Sequence, residues 1–257
     1  MKVISFANQK GGVGKTTLSV NLFYELVCRG RNVLLVDLDP SGHATEHLGF
    51  REEYKNSNVT LYDFLVEEAN SNSEELLFDS YGGYVIPSSR DMISAEMGLY
   101  TAEFGRNTRL KRLLQKVGDG FDYCLIDCPP TLGALTINSF VASDRVMVPF
   151  EPNDLSMRAM ELLFQNLKKV REYHDSEVRV LKIVPNKVLD TKVAQDTLKT
   201  LRESLDIVWE KEIRKRTVFE KCFKEEKPLR MLSKENSSVN SDMLPRFEEL
   251  AEIIERV

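Results

Sequence analysis

Eight consecutive residues near the beginning of the sequence have the composition and spacing of a phosphate-binding loop. The segment Lys10-Gly11-Gly12-Val13-Gly14-Lys15-Thr16-Thr17 follows a short apolar run and precedes a helical pattern. Glycines let the backbone curl so that successive N–H groups point at phosphate oxygens, and the helix N-terminus adds positive charge. In such a loop Lys15 contacts the β- and γ-phosphates, and the Thr16 hydroxyl ligates Mg²⁺. The segment therefore predicts ATP and Mg²⁺ as cofactors, bound by residues 10–17.

Two apolar runs further along the chain end in aspartates. Asp37 and Asp39 follow the run Val33-Leu34-Leu35-Val36, and Asp127 follows Leu125-Ile126. Ligands of open α/β sheets bind at the carboxyl ends of the strands, so we expect these carboxylates beside the phosphate loop. Mg²⁺ takes oxygen ligands and keeps several waters, while an attacking water needs an acceptor that orients it. One carboxylate should therefore support the metal and another the nucleophilic water.

Short apolar runs alternate with helical periodicity along most of the chain, which predicts a doubly wound, mostly parallel α/β sheet with helices on both faces. The first strand is expected at residues 3–7, so no helix-turn-helix is expected before it and residues 1–257 are interpreted as one ATPase domain. The irregular part, residues 50–82, is interpreted as an insertion around a helix at 61–69. The other expected strands are 33–37, 84–86, 123–126, 146–148 and 180–184, and the other expected helices are 16–29, 110–117, 135–140, 157–173 and 244–257, the last preceded by a loop at 233–241.

Lys10 is additional to the ordinary phosphate-loop pattern. Together with Asp37-Leu38-Asp39-Pro40 it makes the sequence resemble the ParA/Soj family of DNA-partitioning ATPases, which belong with MinD to the deviant Walker A group of P-loop NTPases. The resemblance covers most of the chain, but Ser41 and His43 stand where the family usually has Gln and Asn, and Glu226 stands where it usually has Gly. Other matching segments are Gly42-His43-Ala44-Thr45, Ile86-Pro87-Ser88, Ala95-Glu96-Met97, Asp127–Gly133 and, more weakly, Lys227-Pro228-Leu229.

The resemblance implies a nucleotide-dependent switch. Two copies would form an ATP-sandwich homodimer in which Lys10 reaches the phosphates of the partner subunit, and the dimer would bind double-stranded DNA without sequence preference. A ParB-type centromere-binding protein would then stimulate hydrolysis, so that plasmid or chromosomal DNA is segregated or positioned. Asp39 would orient the attacking water, and Asp127 would bind Mg²⁺ through water. The candidate catalytic residues are thus Lys10, Lys15 and Asp39, and the candidate metal residues are Thr16, Asp37, Asp39 and Asp127.

Asn186, after the strand expected at residues 180–184, is a further nucleotide-binding candidate. A carboxamide matches the donor and acceptor edge of adenine, and similar proteins use an Asn at this place. The alternative is a turn residue that follows Pro185.

Basic residues are concentrated in one late segment of an acidic chain. The formal net charge is −5, yet residues 209–234 hold nine Lys or Arg against five Glu. Such a cluster is either a solvated face or a patch for a polyanion, because release of counterions from DNA favours clustered cations. The family resemblance favours DNA. The candidate DNA-binding residues are Arg214, Lys215, Arg216, Lys221 and Lys224.

Other functions fit the phosphate loop less well. A MinD-like membrane-cycling ATPase needs a basic amphipathic C-terminal helix, but residues 247–257 carry four Glu and one Arg. We therefore expect no membrane partner, and a cytoplasmic, nucleoid-associated protein. A nitrogenase-iron-protein type needs cysteines around an Fe–S cluster, and only Cys128 lies near a motif. An inactive ATP sensor would not need Asp39 and Asp127, and a small-molecule kinase or ligase would not need Lys10.

Overall fold

A computed structural model of the chain describes residues 1–56, 58–67, 72–235 and 240–257. In these ranges the chain forms an eight-stranded sheet with the order β3-β4-β2-β5-β1-β6-β7-β8, in which only β3 and β4 pair antiparallel. The strands are β1 (Lys2–Phe6), β2 (Val33–Asp37), β3 (Phe78–Ser80), β4 (Gly83–Ile86), β5 (Tyr123–Asp127), β6 (Arg145–Phe150), β7 (Arg179–Val188) and β8 (Ile213–Arg214).

Helices connect these strands, and their positions follow the sequence periodicity closely where the apolar pattern is strong. The predicted helix at 61–69 ends at Leu65, and residues 68–71 and 236–239 lie outside the described parts of the chain. The helices are α1 (Lys15–Cys28), α2 (His43–His47), α3 (Arg51–Asn56), α4 (Leu61–Leu65), α5 (Ala95–Thr101), α6 (Arg109–Val117), α7 (Ala134–Ala142), α8 (Asp154–Tyr173), α9 (Lys192–Ser204), α10 (Val218–Lys224), α11 (Leu229–Glu235) and α12 (Asn240–Glu255).

The sheet is covered on both faces, which confirms the predicted doubly wound fold class. Leu34 and Val36 of β2 belong to a core shared with α4 to α9, while Val33 and Leu35 belong to a second core shared with α1, α2 and α10 to α12. Burial on both faces explains why the parallel strands are almost continuously apolar in sequence.

The last helix packs against the domain. Phe247, Leu250 and Ile254 of α12 are fully or almost fully buried in the second core, and α12 contacts α1. Its apolar side is therefore already covered by the protein. Among the described helices, none combines the length and hydropathy that crossing a bilayer requires.

Strand β7 is longer than predicted, and this changes the position of Asn186. The expected strand ended at residue 184, but β7 runs on through Pro185 and Asn186 to Val188. Here Pro185 pairs with Phe150 of β6, and Asn186 pairs with Ile213 of β8. Asn186 thus lies within a central strand of the sheet and is not part of a turn.

Candidate nucleotide-binding site

The phosphate loop connects β1 to α1 and uses two glycines in left-handed conformations. Gly12 has φ 73° and Gly14, which precedes the first residue of α1, has φ 96°. A Cβ at Gly14 would collide with the side chain of Asn186. Lys15 begins α1 with only 7% of its surface exposed. The loop therefore closes tightly over the end of the sheet, and only glycine fits at its second bend.

Hydrogen bonds to two neighbouring strands hold this loop in place. The Asn8 amide donates to the carbonyl of Pro149 on β6 (2.7 Å), and its oxygen accepts the backbone N–H of Lys10 (2.9 Å). From the other side, Asn186 Nδ2 donates to the Val13 carbonyl (2.7 Å). Because these amides are buried, the loop is organised by the protein itself. The contact from Asn186 is one that sequence reasoning missed, and its adenine role stays a prediction.

Lys10 is engaged by an acidic side chain that the sequence analysis did not single out. Its Nζ lies 2.8 Å from Oε2 of Glu151, with about a quarter of the Lys10 side chain exposed. Glu151 directly follows β6, and Asp37 and Asp127 are the last residues of β2 and β5, so all three lie at the same edge of the sheet. The available signal was therefore the same as for the aspartates: an acidic residue at the end of a buried parallel strand.

Asp127 lies at the bottom of the site beside the first turn of α1. Its Oδ2 accepts a hydrogen bond from the Thr16 hydroxyl (2.6 Å), while Oδ1 is buried without a hydrogen-bond partner. Burial raises the pKa of Asp127 well above its usual range, and the charge of Asp37 raises it further, against the opposing effects of Thr16 and Lys15. A cation here would stabilise the carboxylate and satisfy the orphaned oxygen.

Asp37 is also fully buried, but both of its carboxylate oxygens already accept hydrogen bonds from the protein. Oδ2 accepts hydrogen bonds from the backbone N–H (2.8 Å) and hydroxyl (2.7 Å) of Thr45, and Oδ1 accepts one from the Asp39 N–H (3.2 Å). Burial raises the pKa of Asp37 to about 7, and the Asp39 charge also raises it, although the Thr45 hydrogen bonds lower it. The side chain organises the segment that follows β2. This fixing role of Thr45 was not predicted from the sequence.

Asp39 differs because only one of its carboxylate oxygens is fixed. Oδ1 accepts hydrogen bonds from the Ser41 N–H (2.9 Å) and hydroxyl (2.7 Å). Ser88, in the loop after β4, donates to the Asp39 carbonyl (2.8 Å) and so supports the backbone. No described residue donates to Oδ2, and Asp39 lines the cavity beside the loop. The geometry leaves one oriented acceptor for a ligand or water.

A cavity of about 680 Å³ adjoins the phosphate loop and Asp39. Its size is usual for small-molecule sites. One part of its wall is the phosphate loop with Asp39, and another comes from α10 and from Lys215 and Arg216, which follow β8. The aromatic residues of that wall, Phe219 and Phe223, were not predicted. The full lining is Gly11, Gly12, Gly14, Lys15, Thr16, Thr17, Asp39, Ser41, His43, His47, Pro130, Asn186, Lys187, Lys215, Arg216, Phe219, Glu220 and Phe223.

The described residues hold no group of three acidic, His or Cys side chains that could bind a metal ion unaided. A Mg²⁺ ion in this cavity would instead take the Thr16 hydroxyl, phosphate oxygens and waters, with Asp127 behind them. The buried, unpartnered Oδ1 of Asp127 fits that arrangement. Cys128, next to it, is buried with its Sγ 3.0 Å from the Ser139 hydroxyl, inside the core.

The five candidate DNA-binding residues are all exposed, but they do not all lie in the same place. Lys215 and Arg216 line the mouth of the nucleotide cavity, whereas Lys221 and Lys224 lie on α10. Three of the five have acidic partners: Arg214 with Glu212 (3.3 Å), Arg216 with Asp242 (3.0 Å) and Lys221 with Glu225 (3.5 Å).

Comparison with known proteins identifies the family. A family model described as an AAA domain matches residues 1–180. The chain is 38% identical to the sporulation initiation inhibitor protein Soj of Bacillus subtilis over 179 residues, which are 70% of each protein. The chain belongs to the ParA/Soj family. It is also 38% identical to the chromosome-partitioning ATPase Soj of Treponema pallidum over 170 residues, 66% of this chain and 65% of that protein.

Solved structures of other proteins share this fold. Cobyrinic acid a,c-diamide synthase from Mycobacterium smegmatis, with a bound ATP analogue and magnesium, superposes with a TM-score of 0.76 at 29% identity, over 92% of this chain and 97% of that one. The ATP complex of a Cyanothece McdA variant shares the fold, with a TM-score of 0.85 at 21% identity over 99% and 96%. The cofactors predicted from the sequence, ATP and Mg²⁺, are those found in the first of these similar structures.

Proposed function

We propose that this ParA/Soj-family ATPase is an ATP-dependent switch that dimerises, binds DNA and releases it on hydrolysis, so that plasmid or chromosomal DNA is moved or positioned. The observation that carries the proposal is the convergence of the phosphate loop, Asp39 and Asp127 at one edge of the sheet. Both cores share that one sheet, which supports treating residues 1–257 as a single ATPase domain.

Each residue of the site has a role at a defined atom. Lys15 and the loop N–H groups bind the β- and γ-phosphates of ATP, and Asn186 is the proposed contact to the adenine base. Thr16 and Asp127 would hold Mg²⁺, which would supply positive charge to balance that of the phosphates. Asp39 accepts a hydrogen bond from the attacking water through Oδ2 while Ser41 holds Oδ1. ATP is thereby converted to ADP and phosphate with a slow basal turnover.

In the proposed mechanism Lys10 acts in the dimer and not in the single chain. In an ATP-sandwich homodimer, Lys10 contacts the phosphates bound by the partner subunit. In the structure of one chain its ammonium is instead paired with Glu151 and remains partly exposed. Forming the dimer therefore exchanges a carboxylate partner for phosphate oxygens.

DNA binding would use the basic segment, with Arg214, Lys215, Arg216, Lys221 and Lys224 as contacts. A dimer presents two copies of this surface, so ATP controls affinity through valency. Non-specific contacts to double-stranded DNA keep the ATP form on the nucleoid, and a ParB-type partner accelerates hydrolysis and release. A MinD-like membrane cycle is less well supported, because the apolar side of α12 is already buried against the domain.

Co-sedimentation with linear double-stranded DNA tests the proposal, with phosphate release measured in parallel. We expect retention on DNA with Mg·ATP but not with ADP, and phosphate release that requires Mg²⁺. Lys15→Ala should abolish both. Equal retention with ATP, with ADP and without nucleotide would contradict the switch. Retention on anionic vesicles in place of DNA would support the membrane cycle instead.

A further inference from the structure

Asp39 is connected to an imidazole by a short chain of polar contacts. Ser41 donates its hydroxyl hydrogen to Asp39 Oδ1 across 2.7 Å, and the Ser41 hydroxyl oxygen itself lies 2.9 Å from Nδ1 of His43. All three residues line the nucleotide cavity. Ser41 and His43 are also the two positions where the second motif departs from the family pattern of Gln and Asn. The departures therefore meet at the carboxylate that would orient the attacking water.

The number of available hydrogens limits which hydrogen bonds these three side chains can form together. A serine hydroxyl has one hydrogen, and an ionised carboxylate can only accept. When Ser41 donates to Asp39, its oxygen must accept from His43, which requires a hydrogen on Nδ1. When Nδ1 is bare, the imidazole competes for the only hydroxyl hydrogen, and Asp39 keeps only the backbone N–H of Ser41. Whether Nδ1 of His43 carries a hydrogen therefore decides whether Asp39 is held by two hydrogen bonds or by one.

His43 is positioned on one side and accessible on the other. It begins α2 directly after Gly42, whose φ of 66° turns the chain, and its ring contacts the ring of Phe223 edge-on at 6.1 Å. The residue is exposed, so its ring can exchange protons with solvent. The charged or titratable groups that line the same cavity are Lys15, Asp39, His47, Lys215, Arg216 and Glu220, and Glu46 of α2 pairs with Arg51 of α3.

We propose that Ser41 and His43 are positioning residues for Asp39, and that His43 makes the rate of ATP hydrolysis depend on pH. The proposal rests on the proposed hydrolysis by this site. A protonated imidazole carries hydrogen on both nitrogens, so Ser41 then donates to Asp39 in every molecule. Histidine side chains in general change charge between about pH 5 and 8. An imidazole without a hydrogen on Nδ1 cannot donate to Ser41, and the second hydrogen bond to Asp39 is then lost in part of the molecules. A family member with Asn at this position has an amide donor that does not titrate.

The test compares the wild type with His43→Asn at saturating Mg·ATP across that pH range. Dividing the two turnover rates at each pH cancels the titration of ATP and of all other groups. We expect the ratio of wild type to His43→Asn to fall about threefold from the acidic to the alkaline end of that range. His174→Asn, the same change outside the site, is the control, and its ratio should stay flat.

A second pair of variants shows whether the effect passes through the hydroxyl. In a Ser41→Ala background, adding His43→Asn should no longer change the pH profile, and turnover should be reduced at every pH. A fluorescent ATP analogue should bind all variants with similar affinity, which shows that they are folded. Normal hydrolysis with a flat ratio, or a slope that persists in Ser41→Ala, would overturn the relay alone. No hydrolysis by the wild type at any pH would overturn the proposed function and the relay with it.

Discussion

Two regions of the molecule place charged side chains in opposite ways. The first, the site edge, consists of residues 8–17, 37–45, Asp127 and Asn186. The second is the basic segment, residues 209–234. At the site edge Asp37 and Asp127 are fully buried and Lys15 is nearly so. In the basic segment Arg214, Arg216 and Lys221 are exposed and paired with nearby acids. Buried charges are costly unless a partner compensates them, whereas exposed ion pairs contribute only about 0–1 kcal/mol.

The difference indicates two kinds of recognition. The site edge is fixed by hydrogen bonds before any ligand arrives, so it selects one geometry of phosphates and metal. The basic segment can exchange its acidic partners for DNA phosphates at little cost, which suits binding without sequence preference. Changes at the site edge should therefore have large effects that salt hardly alters, and changes in the basic segment should have smaller, salt-sensitive ones.

The largest effect is expected from Gly14→Ala. The new methyl group collides with Asn186, and the φ of 96° is unfavourable for alanine. The loop must then move, and several N–H contacts to phosphate are lost together. At about 1.5 kcal/mol or more for each hydrogen bond to a charged group, ATP affinity should fall on the order of 100-fold. Isothermal titration with ATP and Mg²⁺ measures this.

Gly30→Ala is the matched control for that change. Gly30 ends α1 with φ 77°, and a Cβ there meets no atom within 4 Å. This variant should lose about 1 kcal/mol of stability from backbone strain but keep its ATP affinity within about twofold. Equal losses of ATP affinity in both variants would show that the tight closure at Gly14 is unimportant.

The loop and strand ends were predictable because their signals are local. Lys10–Thr17 has fixed spacing, and Asp37 and Asp127 follow uninterrupted apolar runs. The contacts that hold these groups were not predictable, because Asn186 and Val13 are 173 residues apart and Glu151 and Lys10 are 141 apart. Their meeting depends on β6 and β7 lying side by side beyond β1, which no local pattern encodes.

Two further elements show where local patterns fail. Pro185-Asn186 has the composition of a turn, yet pairing with β6 and β8 keeps it in β7. Helix α10 has only seven residues and a mixture of charged and aromatic side chains, so its period is too short to detect. Its Phe219 and Phe223 nevertheless form part of the cavity wall.

The pH dependence of stability tests the buried charge at the site edge. Burial raises the pKa of Asp37 to about 7, while an unfolded Asp titrates near about 4. Between these values the folded chain keeps a proton that the unfolded chain has lost. The free energy of unfolding of the nucleotide-free protein should therefore fall, by on the order of 2 kcal/mol, as the pH rises from about 4 to about 7. Urea unfolding at several pH values measures it.

Asp37→Asn is the informative variant for that slope. An amide stays neutral, so the pH dependence should become flatter, although Asp127 retains a contribution of the same sign. An unchanged slope in Asp37→Asn would mean that Asp37 is already ionised in the folded protein and that its buried charge is compensated.

A smaller, salt-sensitive effect is expected in the basic segment. Arg214→Glu with Arg216→Glu should weaken ATP-dependent DNA binding about 10-fold at moderate salt and reduce its salt dependence. Lys168→Glu with Lys169→Glu, on exposed positions of α8, changes the net charge equally and is the control. If both pairs weaken binding alike, total charge and not this segment controls DNA affinity.

The smallest effect is expected at Glu151. Glu151→Gln removes the carboxylate that holds Lys10 in the single chain. Because the pair is partly exposed, its loss should favour the ATP dimer only about two- to fivefold. Analytical ultracentrifugation with Mg·ATP over a range of protein concentrations measures this, and weaker dimerisation would indicate that Glu151 itself belongs to the dimer interface.

The central claim is that the phosphate loop is one half of a site shared by two chains. The most direct measurement is the sedimentation of Asp39→Ala, in which hydrolysis is blocked, with Mg·ATP and with ADP. The account predicts a dimer with ATP, a monomer with ADP, and a return to monomer with ATP when Lys10→Ala is added. A strictly monomeric Asp39→Ala with ATP, or a dimer that does not depend on Lys10, would contradict it.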